Sequence, residues 1–536
     1  MADAEFREEQ QRSSYKFHKY RTLGRFPAKY DEHGRPHPEA TAHRDLRRPK
    51  RNWIRGPGLF HGLRRLPGAV KLGPAWSVNV GRVGFAHNAA PARVARIWLS
   101  NTLWNVSARL ERTLGWGGNG IASLFYIDYN NGAPRDYFVA KTCINRTLRA
   151  VASVAREKYY QNAYRGALHV AQTRDAPPLT QLAMGALQRE LLDGIIYSEY
   201  VGRGSLHKVL CQVQANVTRF PNRLLWVIFQ CLVQSCIALE YPPVKDRARN
   251  LPKDGNGSVV GVFSERVPPE CRQAYYEAVT NRTWKHEGST PGGTGVVHFD
   301  IDPQNILVGN TNVGPANDGH ALFPVLQLAD FGLARVVNLA YVKNGRMRGT
   351  VGFLNSKDAM WNFRNMGKPG YFAPEQFSEE WDWVEELPRT ENPPHDTAGK
   401  YGFKTNLYQF AVVMSILITM HSPALPPYPE EIDIFDPANP LQQIRAWSYG
   451  GYLLDDRRWG GVDRELRLMV AQCMCDVPAH RPDLMQLQGA IAEKMANAVW
   501  AGADDTPQVR AWVQMMVAQP VPPQAPPGQP ALWVDQ

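Results

Sequence analysis

The chain has 536 residues, of which 44% are hydrophobic and 21% are charged. This composition excludes a wholly disordered protein, although 44 glycines and 41 prolines indicate long irregular segments. The net charge of +11 lies at one end, because residues 1–96 hold 20 Lys and Arg against 8 Asp and Glu. The length suggests about three or four domain-sized units, or one large fold with insertions.

The cysteines and the N-terminus indicate where the chain resides. The seven cysteines form no CxxC pair and no Cys/His set with zinc-ligand spacing, so we expect reduced thiols and a cytoplasmic or nuclear location. The first ten residues contain acids and no apolar core, which is not typical of a signal peptide or a mitochondrial presequence. The longest apolar run, residues 410–420, is too short for the ~20 residues of a membrane-spanning helix. We therefore expect no membrane association.

Both ends of the chain are predicted to be disordered. Residues 1–100 read as a basic arm without hydrophobic periodicity. Its basic clusters are compatible with nucleic acid as a partner, but a solvated arm explains them better. Residues 501–536 read as a Pro-rich tail, and their segment QPVPPQAPPGQP could bind an SH3-type partner as polyproline II. Here too, a disordered end is the simpler explanation.

A glycine-rich segment opens the region between these ends. Gly115, Gly117 and Gly120 form a GxGxxG pattern, and glycines allow a backbone to approach phosphates closely. A dinucleotide-binding fold is the competing interpretation, but it requires a helix directly after the glycines. Residues 122–129 are instead β-branched and aromatic, and they lead to an Asn-Asn-Gly turn at 130–132. The pattern therefore predicts a β-hairpin.

The return strand of this hairpin, residues 136–142, carries Ala140 and Lys141. A lysine at the end of an apolar strand can reach nucleotide phosphates, although such lysines often only extend into solvent. The next segment, residues 147–164, has apolar residues at helical spacing, and Glu157 is its only acid. Glu157 is therefore the candidate ion-pair partner of Lys141.

The stretch HFDIDPQN, from His298 to Asn305, is a polar loop between apolar, strand-like residues. Asp300 has the chemistry to orient or deprotonate an attacking hydroxyl, and Asn305 can offer its side-chain oxygen to Mg²⁺. Taken alone, the pattern fits equally well a turn with a capping Asp and Asn. A strand predicted at residues 323–328 follows, and after it comes the sequence DFGLAR, which starts at Asp330.

With these motifs together, the chain resembles the eukaryotic protein kinase family of serine/threonine type, over about residues 108–497. Five motifs occur in the order of the family, and a sixth follows them. They are GxGxxG at Gly115, VAK ending at Lys141, HxDxxPxN at His298, DFG at Asp330, FAPE at residues 372–375 and HRPD at residues 480–483.

The resemblance implies an α+β, bilobal fold for a domain at residues 101–500, with ATP between the lobes. The small, β-rich N-lobe would cover about residues 108–200, and the larger, mainly α-helical C-lobe about residues 204–497. Insertions are then expected at about residues 241–295, 309–322 and 376–404.

The resemblance also implies ATP and Mg²⁺ as cofactors and a protein as substrate. The three glycines would cover the phosphates, Lys141 and Glu157 would hold them, and Asp300 would be the catalytic base. The other implied ATP contacts are Ala140, Glu199 and Val201, the last two in a hinge that meets adenine, and the implied metal ligands are Asn305 and Asp330. Glu375 and Arg481 are implied to form a structural ion pair.

Three positions depart from the family pattern. Phe299 replaces the Arg that usually anchors a phosphorylated activation loop, so regulation by such phosphorylation is not expected. Asp302 stands where serine/threonine kinases have a phosphate-stabilising Lys, which should slow phosphoryl transfer unless another cation substitutes. Asn406 replaces an Asp that opens the central helix of the large lobe, and its amide can still accept backbone hydrogen bonds.

These features leave three functions open. The first is an ATP- and magnesium-dependent protein kinase acting on Ser or Thr, favoured because every residue with a base or metal role is present. The second is a pseudokinase that serves as an ATP-binding scaffold, in which Asp302 and Phe299 mark weakened catalysis. The third is a small-molecule phosphotransferase, which shares the HxDxxxxN loop, whereas the DFG, APE and RP elements belong to the protein-substrate version.

Overall fold

In a computed structural model, the chain is described over thirteen segments. They are residues 92–103, 108–116, 120–129, 135–144, 148–164, 167–174, 194–240, 295–309, 320–337, 363–364, 366–378, 397–423 and 427–517. Several sequence predictions lie outside the described residues: the arm up to residue 91, Gly117, the turn at 130–132, most of the three insertions and the polyproline segment after residue 517.

The first part of the fold is a four-stranded antiparallel sheet preceded by a helix. Strands adjacent in sequence are also neighbours in the sheet. The antiparallel pairing of Gly120–Ile127 with Asp136–Cys143 confirms the predicted hairpin. Because a strand rather than a helix directly follows the glycines, the strand–helix unit of a dinucleotide-binding fold is ruled out. The elements are α1 (residues 92–103), β1 (Ala108–Trp116), β2 (Gly120–Ile127), β3 (Asp136–Cys143), α2 (Leu148–Ala163) and β4 (Ile195–Glu199).

Helix α1 corrects the predicted extent of the N-terminal arm. Its residues Leu99 and Leu103 are fully buried and pack with Phe125 and Phe138 on one face of the sheet. Apolar residues at helical spacing give this short helix one buried stripe, and the sheet provides the surface that the stripe needs. The prediction that disorder continues to residue 100 is therefore wrong for its last residues.

The second part of the fold is built mainly from helices around one large hydrophobic core. Helices α4 and α6 lie at its centre, and almost every side chain of both is buried. A helix that is apolar on all sides requires neighbours on all sides, which explains this position. The helices are α3 (Leu206–Ala215), α4 (Asn222–Glu240), α5 (Pro374–Phe377), α6 (Phe403–Thr419), α7 (Asp456–Trp459), α8 (Arg464–Cys473), α9 (Leu484–Asn497) and α10 (Thr506–Val517).

Helix α4 is long and apolar enough to cross a membrane by length and composition alone. In the fold, however, 78% of its most apolar window is buried. Its burial against α6 and α9 accounts for the apolar sequence as that of a core helix.

The described residues contain three further pairs of antiparallel strands, and two of these pairs frame the polar loop at His298. The predicted strand at 323–328 is present only over its last three residues. The pairs are β5 (Val296–Val297) with β8 (Arg335–Val336), β6 (Ile306–Val308) with β7 (Leu326–Leu328), and β9 (Glu430–Asp436) with β10 (Asn439–Ser448). The described residues thus form an α+β fold with antiparallel sheets.

Two further boundary predictions need correction. Helix α10 lies in the predicted disordered tail, yet Val509 and Met516 are buried in the large core. Gln376 was assigned to an insertion, yet it is fully buried and donates to the carbonyl oxygens of Phe363 and Met366, both at 2.9 Å. In both cases, tertiary contacts order a polar or Pro-flanked sequence that lacks a strong local signal.

Candidate active site

Lys141 joins the sheet to the loop that carries Asp330. Its Nζ lies 2.7 Å from Glu157 Oε1 on α2 and 2.8 Å from Asp330 Oδ1. Burial opposes the charge of Lys141, but the carboxylates of Asp330 and Glu157 raise its pKa above the ordinary value. The predicted partnership of Lys141 with Glu157 is confirmed, and Asp330 is a second partner.

The two carboxylates around Lys141 have different pKa values. Burial raises the pKa of Glu157 to about 7, despite the attraction of Lys141. Burial alone would also raise the pKa of Asp330, but Lys141 lowers it to about 2. Asp330 therefore carries a full negative charge at neutral pH, as a cation ligand must.

Ala140 does not lie on the face of β3 that Lys141 occupies. Its side chain is fully buried in the cluster behind the sheet, with Phe138 and residues of α1. Successive side chains of a strand point to opposite faces, so Ala140 cannot share the surface of Lys141. The assignment of Ala140 as an ATP contact beside Lys141 is therefore not supported by its position. Val139, two residues before Lys141, is on the same face as Lys141, as strand alternation predicts.

The described glycines lie at the ends of the hairpin strands. A Cβ on Gly120 would lie 2.9 Å from the carbonyl oxygen of Thr142 and 3.3 Å from Cε of Lys141. Gly120 therefore allows β2 to pass closely over the Lys141 strand. Gly115 has no other atom within 4 Å of a Cβ built on it, so space there is open. Gly117 lies outside the described residues.

The predicted hinge follows β4. The side chain of Glu199 accepts hydrogen bonds from the backbone N–H of Gln172 and from Nε2 of Gln327, both at 2.8 Å. Its carboxylate oxygen Oε1 thus ties the end of β4 to the segment of Gln172 and to Gln327. Val201 lies two residues on, half-buried, at the start of the turn into α3.

Asp300 and Asn305 meet within the polar loop. The Asn305 side-chain nitrogen donates to Asp300 Oδ2 at 2.9 Å and to the Asp300 carbonyl oxygen at 2.7 Å. The Asn305 carbonyl accepts from the N–H of Ala329, which directly precedes Asp330. Asp300 and Asn305 belong to the HxDxxPxN motif and Asp330 to the DFG motif. The backbone hydrogen bond from Ala329 to Asn305 joins these two motifs.

Buried hydrogen bonds of Asn406 and His298 fix the backbone of the polar loop. Asn406 accepts from the backbone N–H of His298 at 2.9 Å and donates to the Val296 carbonyl at 2.7 Å, which confirms its predicted accepting role. Burial lowers the pKa of His298 to about 4, so the imidazole is neutral. It can then donate from Nε2 to the Ala329 carbonyl and accept at Nδ1 from Asp300 N–H.

Phe331 holds the loop of Asp330 against α2. Its buried ring contacts Tyr164, just after α2, with ring centroids 5.3 Å apart, and contacts His298 edge-on at 4.9 Å. Asp330 itself has left-handed backbone angles, with φ 64° and ψ 71°. This packing places Glu157, Lys141 and Asp330 together, because Phe331 connects the helix of Glu157 to the loop of Asp330.

A cation from another segment faces the polar loop. Nζ of Lys368, seven residues before Glu375, donates to Asp302 Oδ2 and lies 3.7 Å from Asp300 Oδ1. Burial raises the pKa of Asp300, and Lys368 opposes this effect. Sequence reasoning missed Lys368, because its distance from Asp302 in sequence leaves no local signal.

Phe299 belongs to an aromatic cluster, which we define as Phe299, Phe363 and Tyr401. Its ring centroids are 5.3 to 5.7 Å apart. Phe299 is fully buried and adopts a positive φ of 66°. At the position where protein kinases usually have an Arg, this chain has a buried Phe that packs against two other rings.

The predicted Glu375–Arg481 pair is confirmed. The guanidinium donates to both carboxylate oxygens at 2.8 Å, and both side chains are fully buried. Arg481 also donates to the Cys475 and Lys404 carbonyls, so its other hydrogens are used. The pair connects α5 to the turn before α9, away from Asp300.

A separate group of residues that could hold a metal ion consists of His169, Cys231 and His320. Their ligand atoms lie within 4.8 Å of one another, and all three residues are buried. The two imidazole Nε2 atoms are 3.2 Å apart, the distance of a hydrogen bond between neutral rings. Burial lowers the pKa of His320 to about 4, as a neutral ring requires. A hydrogen bond thus accounts for this cluster without an ion.

The residues at Asp330 are suited to a magnesium–nucleotide group. Asp330 is ionised, its side chain is 44% exposed, and its described contacts use Oδ1, so Oδ2 can face a cation. Asn305 uses its side-chain nitrogen for Asp300, which leaves the amide oxygen as the ligand atom. Oxygen ligands of this kind match the preference of Mg²⁺.

No protein-family model matches this chain, and no curated protein matches it. The resemblance to protein kinases therefore rests on the ordered motifs and on the contacts among their residues.

Proposed function

We propose that the chain is a protein kinase that transfers the γ-phosphoryl group of ATP to Ser or Thr of protein substrates. In this proposal, the four-stranded sheet with α2 is the small lobe, the helical core is the large lobe, and ATP binds between them. One observation carries the proposal: Lys141 bridges Glu157 and Asp330, while the backbone next to Asp330 bonds to Asn305, which in turn holds Asp300.

In the proposed reaction, the substrate hydroxyl oxygen forms a bond to the γ-phosphorus. The bond from that phosphorus to the β–γ bridging oxygen breaks, and ADP leaves. The hydroxyl proton passes to Asp300, whose burial raises its pKa towards that of a useful base. Asn305 orients the carboxylate through the 2.9 Å bond to Oδ2. Bound Mg²⁺ would neutralise phosphate charge.

Lys141 has a positioning and electrostatic role in this scheme. Its charge is balanced by Glu157 and Asp330, so it stays protonated and near the phosphate site. A phosphate that approaches Lys141 gains a charge-assisted hydrogen bond without leaving an unpaired buried ammonium behind.

The proposal is tested by γ-phosphate transfer from radiolabelled ATP to a generic protein substrate. We expect transfer in the wild type and a loss of about 100-fold or more in both Lys141→Met and Asp330→Asn. Lys158→Met is the matched control, because it removes a half-buried lysine of α2 but leaves the Lys141–Glu157 pair intact. Equal transfer in Lys141→Met and the control would overturn the proposal.

The pseudokinase and the small-molecule phosphotransferase predict other results in this assay than the protein kinase does. A pseudokinase would show thermal stabilisation by ATP and Mg²⁺ in the wild type, with no labelled product at any Mg²⁺ concentration. A small-molecule phosphotransferase would instead consume ATP only with small acceptors. Thin-layer separation of ADP, phosphate and labelled protein distinguishes these results in one experiment.

A further inference from the structure

The polar loop has lost a cation and gained an anion at Asp302. This carboxylate is almost fully buried, with 2% of the residue exposed. A buried carboxylate needs a charged partner or several hydrogen-bond donors. Its Oδ1 accepts from the Gln304 N–H at 2.6 Å, and its Oδ2 accepts from Lys368. The loop has no lysine at position 302, but Lys368 from the segment before α5 supplies a cation next to it.

We propose that Lys368 is the cation that contacts the transferred phosphoryl group, and that Asp302 is the residue that positions it. The inference rests on the proposed kinase function. The lysine that the family carries two residues after its catalytic Asp is, in this chain, replaced by a lysine from the segment before α5.

Distance supports this role. Lys368 Nζ lies 3.7 Å from Asp300 Oδ1. A hydroxyl bonded to Asp300 has its oxygen about 2.7 Å from the carboxylate, and the phosphorus it attacks lies next to that oxygen. The ammonium is therefore within reach of the γ-phosphoryl oxygens. Its side chain is 34% exposed, so it is not enclosed by Asp302.

The backbone brings Lys368 to this place and keeps it there. Gly367 has a φ of +95°, and a Cβ there would overlap the Phe299 carbonyl oxygen, so the chain passes directly against the polar loop. After Lys368, a 3-10 turn begins at Pro369, and Tyr371 N–H donates to the Lys368 carbonyl at 2.8 Å. The Tyr371 carbonyl accepts from Gln409 on α6. Lys368 is thus held on both sides in sequence.

The charge of Lys368 is maintained by its neighbours. Burial alone would lower its pKa, but the carboxylates of Asp300 and Asp302 raise it above the ordinary value. The substrate hydroxyl oxygen bonds to the γ-phosphorus, and the bond from that phosphorus to the β–γ bridging oxygen breaks. The hydroxyl proton goes to Asp300. Asp300 then becomes neutral, so Lys368 can turn towards the phosphoryl oxygens while Asp302 still holds it.

The competing explanation is that Lys368 only neutralises a buried Asp302. The two explanations differ in a double variant. If the pair is structural, Asp302→Asn with Lys368→Met removes both charges and restores activity. If Lys368 acts on the phosphoryl group, the double variant stays as slow as Lys368→Met.

The test measures kcat and both KM values for protein phosphorylation. We expect kcat to fall about 100-fold in Lys368→Met, with KM for ATP within about threefold of the wild-type value. Lys368→Arg should retain kcat within about tenfold, because it keeps the charge. Asp302→Asn should lower kcat less than Lys368→Met does. The exchange Asp302→Lys with Lys368→Asp should regain about tenfold over Lys368→Met, since it returns a cation to the loop.

Each outcome decides. Wild-type kcat in Lys368→Met or in the double neutral variant would overturn the role of Lys368. If Lys368→Met does not fold, as judged by its melting temperature, Lys368→Arg and the double variant Asp302→Asn with Lys368→Met carry the test, and equal kcat in these two would overturn the role of Lys368, because only the arginine variant keeps a cation. Transfer lost in Asp300→Asn but kept in Lys368→Met would leave the kinase function standing. No transfer by the wild type would overturn both.

Discussion

Gly367 is the residue that brings Lys368 against the polar loop. Its φ of +95° is a conformation that side chains rarely adopt, and a Cβ would overlap the Phe299 carbonyl oxygen. Gly367→Ala should therefore lower the free energy of unfolding by about 2 kcal/mol or more. It should also reduce kcat, because the backbone must move away from Phe299. Chemical denaturation and initial transfer rates measure the two effects.

Gly489 provides the control for that substitution. It lies inside α9, with no other atom within 4 Å of an added Cβ. Gly489→Ala should raise stability by up to about 1 kcal/mol and leave kcat unchanged, because alanine favours a helix. If Gly367→Ala were as stable and as active as the Gly489→Ala control, the claim that Gly367 is required for its positive φ and its contact with Phe299 would be contradicted.

At the residue scale, contacts between residues of recognised motifs could be predicted from sequence, including the distant Glu375–Arg481 pair, and contacts of residues outside those motifs could not. Asp300 and Asn305 are five residues apart in one loop, their shared site was predicted from this pattern together with the other motifs, and their side chains are hydrogen-bonded. The Asp302–Lys368 pair joins two loops through tertiary contacts, which no periodicity encodes. Ala140 was misassigned because the motif, rather than strand alternation, guided the prediction.

At the element scale, the aromatic cluster of Phe299, Phe363 and Tyr401 holds the polar loop through apolar contacts, and under the proposed kinase function it would stand in for an anchor that depends on phosphorylation. Apolar rings pack regardless of the phosphorylation state, whereas an Arg requires a phosphate to bind. Protein treated with phosphatase should therefore keep its full initial rate of transfer to substrate. The rate is measured before the enzyme can label itself.

A substitution within the aromatic cluster tests whether its packing is needed for stability and for phosphoryl transfer. Phe299→Ala should lower the unfolding free energy by about 3 kcal/mol and lower the transfer rate, because it removes a fully buried ring. A rate that collapses after phosphatase treatment and recovers on rephosphorylation would contradict this account.

Elements with strong local patterns were predicted well, and those that depend on tertiary contacts were not. The hairpin of β2 and β3 follows from β-branched and aromatic residues, and α2 from its apolar spacing. Helices α1 and α10 adjoin segments rich in Arg or Pro, and those compositions masked their short apolar stripes. Both helices are ordered by the cores they cover.

At the scale of the whole molecule, α10 ties the C-terminal region to the centre of the fold. The Trp512 ring packs 5.1 Å from Phe220, and its Nε1 donates to the Arg219 carbonyl at 3.0 Å. Arg203, next to the predicted hinge, donates to the Val517 carbonyl at 3.0 Å. Trp512→Ala should lower the unfolding free energy by about 3 kcal/mol, as seen by thermal or chemical denaturation.

Gln514, exposed on the same helix, is the control. Gln514→Ala should change stability by less than about 0.5 kcal/mol, because it removes no buried contact. Equal stability of the two variants would show that α10 is not part of the core, and the domain boundary at residue 500 would then stand.

The central claim is that Asp300 acts as the base of a phosphoryl transfer to Ser or Thr. It is tested most directly by the single-turnover rate at saturating ATP and Mg²⁺, where chemistry rather than binding is observed. We predict phosphoserine or phosphothreonine as the product, and a rate at least about 100-fold lower in Asp300→Asn, with the ATP dissociation constant unchanged. Equal rates in the two proteins, or ATP binding by the wild type without any transfer, would contradict the claim.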